Sequence, residues 1–141
     1  MKRVIFALGI LFTISCTKTD NTTTTQPIVS VQEDPIKFTT NLDTGTYNVS
    51  DTLPLVISVS SKLPTSGLIY SITATWTDSA KQIYKLDTNL NQASLSLNIP
   101  GLKKTGNYSV GIVVASKSTT TNILNKTIIV INKGIEYREC E

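Results

Sequence analysis

The residues that could do chemistry are few, and the two cysteines are the most distinctive of them. Cys16 lies between an apolar run and a threonine tract, and Cys140 is the penultimate residue. The chain contains no histidine, which excludes His-based acid–base catalysis, His-Ser triads and the commonest metal ligand. It also lacks a CxxC pair, a GxSxG motif and a phosphate-binding glycine loop. We therefore expect a protein that is not an enzyme and needs no cofactor.

Carboxylates are the remaining candidates for catalysis or for a metal site. Four of them fall in predicted turns or at strand ends: Asp43, Asp51, Asp78 and Asp87. A calcium site needs several oxygen ligands that converge on one ion, whereas these aspartates are scattered singly along the chain. We therefore expect solvated turn residues and predict no metal site. Catalysis by carboxylates alone would require two acidic side chains within about 5 to 10 Å of each other in a cleft.

The first fifteen residues have the order and length of a secretory signal peptide. Met1–Arg3 carries positive charge, Val4–Ile14 is almost wholly apolar, and Ser15 is a small residue that closes the run. An apolar core of about 7 to 15 residues is too short to cross a bilayer. The sequence therefore predicts that residues 1–15 are a signal peptide and that the protein is exported.

The residues that end this leader resemble a known processing motif. Thr13-Ile14-Ser15-Cys16 is similar to the lipobox of bacterial lipoproteins that signal peptidase II cleaves. The resemblance implies that Cys16 becomes the first mature residue and carries acyl chains such as palmitate, which anchor firmly when there are several. It also implies an outer-membrane lipoprotein of a Gram-negative cell envelope, facing either the periplasm or the surface. The alternative is an ordinary leader cysteine or a disulfide between Cys16 and Cys140.

Residues 16–34 predict a tether, and residues 133–141 predict a tail. The stretch after Cys16 is polar, contains four consecutive threonines and shows no hydrophobic periodicity. It cannot bury enough apolar surface to offset the loss of backbone entropy, so we expect it to be disordered. The tail carries Cys140, whose thiol has no partner within the chain if Cys16 is lipidated. That arrangement suggests an intermolecular disulfide or a reading frame that once continued into another domain.

Residues 35–132 show the alternation of a β-sandwich. Apolar and polar residues alternate in Leu53–Ser60 and Leu68–Thr77, and turn signals rich in Gly and Pro separate such segments. No segment carries a helical apolar stripe, so we predict an all-β, antiparallel sandwich of about seven strands. Aliphatic residues occupy both faces of the last strand, so its inward face is not assigned. The other predicted strands are 95–99, 108–114 and 123–131, with weaker candidates at 36–40 and 83–86.

Two aromatic residues make the predicted sandwich immunoglobulin-like. Trp76 lies inward near the end of the third predicted strand, and Leu102–Val110 resembles the tyrosine corner that opens strand F of such domains. Val110 stands where antibody domains have cysteine, so packing must replace the intersheet disulfide. The resemblance is to bacterial immunoglobulin-like, fibronectin-III-like and PKD-like modules, and it implies that Trp76 and Tyr108 are core residues.

Hydroxyl side chains provide two candidate surface sites. One predicted strand presents a ladder of threonine hydroxyls that could bind carbohydrate, formed by Thr73, Thr75 and Thr77. The preference of threonine for strands also explains these residues without any ligand. Asp51-Thr52-Leu53 and Asp78-Ser79-Ala80 are similar to the acceptor motif of some Gram-negative O-glycosylation systems. That similarity implies Thr52 and Ser79 as O-glycosylation sites.

Charge and composition limit the function further. The thirteen Lys and Arg include Lys2 and Arg3 of the leader, which leaves eleven against ten Asp and Glu. A nearly neutral mature chain offers no electrostatic case for nucleic acid. We expect a membrane-anchored binding or adhesion module that presents a non-catalytic surface to a glycan or a protein. The alternative is a structural spacer or the N-terminal domain of a larger surface lipoprotein. An exposed aromatic cluster or a large apolar patch would favour binding, whereas a uniformly polar surface rich in serine and threonine would favour a spacer.

Overall fold

Two β-sheets make up the described part of the chain. The computed structural model describes residues 32–134, so the predicted signal peptide, Cys16, most of the tether and Cys140 lie outside the described residues. The three-stranded sheet has the order β1-β3-β6, and the five-stranded sheet has the order β2-β8-β7-β4-β5. The strands, in chain order, are β1 (Phe38–Thr40), β2 (Gly45–Tyr47), β3 (Leu53–Val59), β4 (Leu68–Trp76), β5 (Lys81–Leu90), β6 (Ser94–Ile99), β7 (Gly106–Ser116) and β8 (Ile123–Asn132).

The all-β sandwich predicted from the sequence is confirmed. Residues 32–134 contain no α-helix, only a short 3-10 turn at Thr77–Ser79. The strand order corresponds to an immunoglobulin-like sandwich in which strands A, B and E face strands G, F and C. One pair departs from the antiparallel pattern, because β2 runs parallel to β8. After β1 the chain changes sheets without reversing direction, and it therefore runs alongside the last strand.

The inward faces of β3 and β4 are those predicted from the alternation. Leu55 and Ile57 on β3 face Ile72 and Ala74 on β4 across a core in which all four are 0 % exposed. Each such side chain contributes about 1.5 to 3 kcal/mol when it is removed from water. The described residues contain no cysteine, and Val110 is completely buried, so the two sheets are held by packing rather than by a disulfide.

The pairing of β8 with β7 decides the inward face that the sequence left open. Val130 lies opposite Tyr108 and Ile128 lies opposite Val110, so both β8 residues point into the core with 0 % exposure. The alternate residues of β8 consequently point away from the core. Ile129 and Ile131 are among them, and they are 36 % and 39 % exposed.

The short strand β2 was not predicted. The sequence predicts a turn or a strand end at Asp43, but a further strand begins at Gly45. The Thr44 hydroxyl oxygen accepts a hydrogen bond from the Ile129 N–H (3.1 Å), and Lys133 N–H donates to the Tyr47 carbonyl (3.1 Å). A strand of three residues is too short to show a periodicity in the sequence. Pairing with β8, rather than local sequence, defines β2.

A buried amide ties the segments at one end of the sandwich, which we call the far end because residue 32 enters at the other. Asn132 is 2 % exposed, and its Oδ1 accepts hydrogen bonds from the N–H groups of Val49 (3.0 Å) and Gly134 (2.8 Å). Its Nδ2 donates to the carbonyls of Val49 (3.0 Å), Leu102 (2.6 Å) and Lys104 (3.2 Å). One side chain thus satisfies backbone groups of three separate segments.

We expect Asn132→Ala to lower the free energy of unfolding by about 3 kcal/mol, because several backbone groups would lose their buried partner. Urea denaturation of the purified chain measures this quantity. Asn125→Ala is the matched control, since Asn125 is exposed on the same strand and should change stability by less than about 0.5 kcal/mol. Equal effects of the two substitutions would contradict the central role of Asn132.

Candidate interaction surface

The outward face of the five-stranded sheet is the surface most distinct from a uniformly polar exterior. We call it the outer face, and it consists of the residues of β2, β8, β7, β4 and β5 that alternate with the core residues. Strand register aligns these residues in rows. In the row nearest residue 32, Ile123 lies opposite Ala115, which lies opposite Ile69 on β4. This aliphatic row therefore crosses three strands, and Val113 lies next to it on the same face of β7.

Exposed aliphatic residues are concentrated on this face. Its four large examples are Ile69 (38 % exposed), Ile123 (47 %), Ile129 (36 %) and Ile131 (39 %). Three of them lie on β8, whose two-sided aliphatic pattern was visible in the sequence but was not interpreted as a binding feature. A single exposed aliphatic residue is ordinary. Two pairs on one face, Ile69 with Ile123 near residue 32 and Ile129 with Ile131 near the far end, indicate an interaction surface.

The centre of the outer face is flat and carries hydroxyl groups. Gly111 lies between Thr73 on β4 and Thr127 on β8, and a Cβ at position 111 would approach the Thr73 Oγ1 to 2.9 Å. The predicted threonine ladder is shorter than expected in this region. Thr73 and Thr75 point outward from β4, whereas Thr77 begins the 3-10 turn and donates a hydrogen bond to the Asn107 carbonyl (2.8 Å).

The charged residues of the outer face neutralise each other. Among the strand residues that the structure describes on this face, Lys85 and Asp87 are the only charged ones, and Lys85 Nζ lies 2.9 Å from Asp87 Oδ2. The Ser71 hydroxyl also donates to Asp87 Oδ1 (2.5 Å), and this bond, together with Lys85, lowers the pKa of Asp87. The face therefore has no net charge with which to attract a charged ligand.

The two predicted core aromatics occupy different environments. Tyr108 is 1 % exposed, and its hydroxyl donates to the Lys104 carbonyl (2.8 Å), four residues upstream, as in a tyrosine corner. Trp76 is half-buried at the margin of the core. Its Nε1 donates to Asp78 Oδ2 (3.2 Å), and the Lys104 ammonium lies 4.6 Å from the ring centroid. Lys104 thus lies over one face of the ring in a cation–π contact.

The four aspartates considered as ligands each bind a different partner. Asp43 contacts Lys126 Nζ (3.2 Å), Asp51 accepts from Gly101 N–H (3.3 Å), and the other two bond to the residues described above. Within residues 32–134, no group of three acidic, cysteine or histidine side chains is arranged to hold a metal ion. The carboxylates therefore do not converge on one point.

Both predicted O-glycosylation residues are exposed at the far end. Thr52 directly precedes β3, and Ser79 ends the 3-10 turn after β4. They lie on connections of opposite sheets, so the structure does not bring them into one site. Their exposure leaves each hydroxyl accessible to a modifying enzyme.

A polar network holds the first described residues against the opposite end, which we call the N-terminal end. The Ser118 hydroxyl donates to the Glu33 carboxylate, and Asn122 Nδ2 donates to Glu33 Oε2 (3.2 Å) and to the Asp34 carbonyl (3.0 Å). Asn122 Oδ1 also accepts from Ile36 N–H (3.0 Å). Glu33 and Asp34, which the sequence assigns to the tether, thus contact the sandwich.

A cleft of about 290 Å³ lies beside this network, between the Glu33 segment and the 62–65 loop. Its lining includes Glu33, Lys62, Leu63 and Ser118. Ser118 Oγ also lies 2.8 Å from Ser66 Oγ and 3.2 Å from Ser116 Oγ. Because the Glu33 and Ser118 groups already bond to one another, we attribute the network to attachment of the N-terminal segment.

Comparisons with known proteins do not assign the chain to a family. No protein-family model matches it, and no curated protein is significantly similar to it. In the part of the chain that the structure describes, no helix is long and apolar enough to cross a membrane.

We expect attachment of the Glu33 segment to depend on acid pH. The hydrogen bond from the Ser118 hydroxyl is the main cause that lowers the pKa of Glu33 from 4.5 to about 2. The pKa is depressed in the folded state, so the contribution to stability is complete above pH 4.5 and is lost as the pH falls towards 2. Hydrogen exchange of the Ile36 amide measures this attachment.

Glu33→Gln should remove that pH dependence, because the amide does not titrate. Asp34→Asn is the control, since Asp34 contributes its backbone carbonyl to the network. Protection of the Ile36 amide that is independent of pH between 2 and 5 in the unsubstituted chain would contradict the prediction.

Proposed function

We propose that this protein is a lipid-anchored binding module of the bacterial cell envelope whose outer face binds another protein. The anchor in this proposal is Cys16, as the lipobox resemblance implies. The sandwich supplies a rigid platform, and neither an enzyme activity nor a cofactor is part of the proposal.

The observation that carries the proposal is the group of aliphatic side chains on the outer face. Ile69, Ile123, Ile129 and Ile131 keep more than a third of their surface exposed although each belongs to a regular strand. A spacer would gain nothing from this exposure, and polar residues would make it more soluble. Burial against a partner would remove this apolar surface from water and would stabilise the complex by about 25 cal/mol for each Å² buried.

The chemistry of the outer face favours a protein partner over a glycan. None of the described aromatic side chains lies on this face, so a sugar ring would find no planar platform there. The Lys85–Asp87 pair leaves no uncompensated charge. The partner that fits best is therefore an uncharged protein surface with aliphatic residues of its own, because buried charges without partners would weaken the complex.

A spacer is the second candidate, and the positions of the described chain ends favour it. Glu33 binds the β7–β8 loop at the N-terminal end, whereas Gly134 binds Asn132 at the far end. The eleven residues of β7 extend about 35 Å along the sandwich. The domain would thus separate whatever is attached before residue 32 from whatever follows residue 134.

The first experiment tests the anchor by intact mass. We expect protein extracted from its native membrane to begin at Cys16 and to carry the mass of acyl chains, and we expect Cys16→Ala to be released from the membrane. Cys140→Ala is the control, because removing that thiol should leave the acyl mass unchanged. An unmodified Cys16, or a disulfide between the two cysteines, would reject the anchor.

A second experiment tests the outer face by photocrosslinking in cells. We expect a photoreactive amino acid at Ile129 to give a discrete adduct with one protein. The same amino acid at Thr39, which is exposed on β1 in the opposite sheet, is the control and should give no such adduct. Absence of an adduct at Ile129, or the same adduct at both positions, would favour the spacer.

A further inference from the structure

We infer that the open edge of β6 pairs with β6 of a second copy of this chain, joining two three-stranded sheets into one. This edge is separate from the outer face, and the inference does not depend on the lipid anchor. It rests on the backbone groups of β6, on the composition of the strand and on its symmetry.

The first argument concerns the direction of the backbone groups. Among the described residues, β6 has β3 as its only neighbouring strand. The Val59 N–H donates to the Ala93 carbonyl (2.7 Å), so Ala93 directs its backbone groups towards β3. Backbone groups alternate along an antiparallel strand, so the residues that direct theirs to the open edge are Ser94, Ser96 and Asn98.

The second argument is that β6 lacks the features that protect the other sheet edges. The edge strands β1 and β2 have only three residues each. The edge strand β5 carries Lys81 and Lys85 and has a register irregularity against Ala74–Thr75. In contrast, β6 has six residues, no charge, no proline and regular pairing with β3. Short length, lysine and bulges are the usual means of preventing edge-to-edge association.

The third argument is the self-complementary sequence of the strand, Ser-Leu-Ser-Leu-Asn-Ile. In an antiparallel pair centred on Ser96, this residue lies opposite its own copy, and Ser94 lies opposite Asn98. Leu95 then lies opposite Leu97, so apolar residues meet apolar residues on the inner face. In this register Ser94, Ser96 and Asn98 would exchange backbone hydrogen bonds with the second copy. Each of them lies opposite a residue whose backbone groups also point to the open edge.

The half-exposed leucines of β6 supply the apolar contribution. Leu95 and Leu97 pack against the core but keep part of their surface accessible at the edge. Pairing with a second copy would cover that surface with the same residues of the partner. A charged foreign strand would be less well matched, since β6 offers no charge to compensate it.

The two-fold pairing is compatible with anchoring of both copies in one membrane. It places the two N-terminal ends at opposite ends of the dimer, about 35 Å apart along the strands. The fifteen residues between Cys16 and Gln32 can span at most about 50 Å. Both copies could therefore reach the same bilayer surface with their strands parallel to it.

The test is disulfide crosslinking of the full chain in its native membrane, in a Cys140→Ser background. In the proposed register, the Cα atoms of the two Ser96 residues are about 5.5 Å apart, which is within the range for a disulfide. We expect Ser96→Cys to give a dimer of twice the chain mass after treatment with copper phenanthroline and oxygen. The Cys140→Ser chain alone should give none.

Ser58→Cys is the matched control, because Ser58 is exposed on β3, one strand further from the edge. Ser58 would lie across from Pro54 of the second copy, three strand spacings away. The two Ser58 residues are therefore also offset by four residues along the strand and lie about 20 Å apart, which is too far for a disulfide. A dimer at both positions would indicate random collision and overturn the inference. So would the absence of a dimer, or an adduct of Ser96→Cys with a different protein.

A second measurement uses charge to separate the strands without introducing a thiol. Ser96→Lys would place two like charges opposite each other, which we expect to raise the dimer Kd by at least about tenfold in sedimentation experiments on detergent-extracted protein. Ser58→Lys should leave the Kd unchanged. An equal dimer Kd for the two lysine variants would overturn the inference. A substitution of Ile129 should affect binding of a partner to the outer face but should leave the dimer Kd unchanged.

Discussion

The arrangement of the segments at the far end of the sandwich depends on one buried amide at the end of β8. Asn132 is almost completely buried, yet both its donor and its acceptor functions are occupied by backbone groups from three segments. A hydrophobic residue there would leave these groups unsatisfied, and a charged residue would be costly to bury. The amide therefore fixes where the segments before β3 and β7 meet the last strand. No buried side-chain polar atom in the described residues lacks a partner.

A second amide has the same role at the N-terminal end. Asn122 Oδ1 accepts a hydrogen bond from the Ile36 N–H, and its Nδ2 donates to the Glu33 carboxylate and to the Asp34 carbonyl. Asn122 therefore attaches the incoming chain just before β8 begins. The two asparagines thus fix β8 at both ends, while Ile128 and Val130 hold its middle in the core. With its inner residues fixed in this way, β8 must present its other aliphatic residues to solvent. The outer face is a direct consequence of this constraint.

Much of the fold could be predicted from the sequence, but the candidate surfaces could not. Alternation indicated β3 and β4 because their apolar residues occupy one face only. It failed for β2, whose three residues are held by β8, and it left β8 unassigned because both faces are aliphatic. The outer face brings together Ile69 and Ile123, which are far apart in the chain and meet only through β7. Sequence spacing contains no information about such a meeting.

The sequence by itself determined the all-β class and the lack of histidine chemistry. These properties follow from local composition and from a period of two, which require no knowledge of distant contacts. Only the tertiary structure decided which aliphatic residues of β8 are exposed, which asparagines are buried and which sheet edge is open. These properties depend on strand order and register, which arise from contacts between segments as far apart as Glu33 and Asn122.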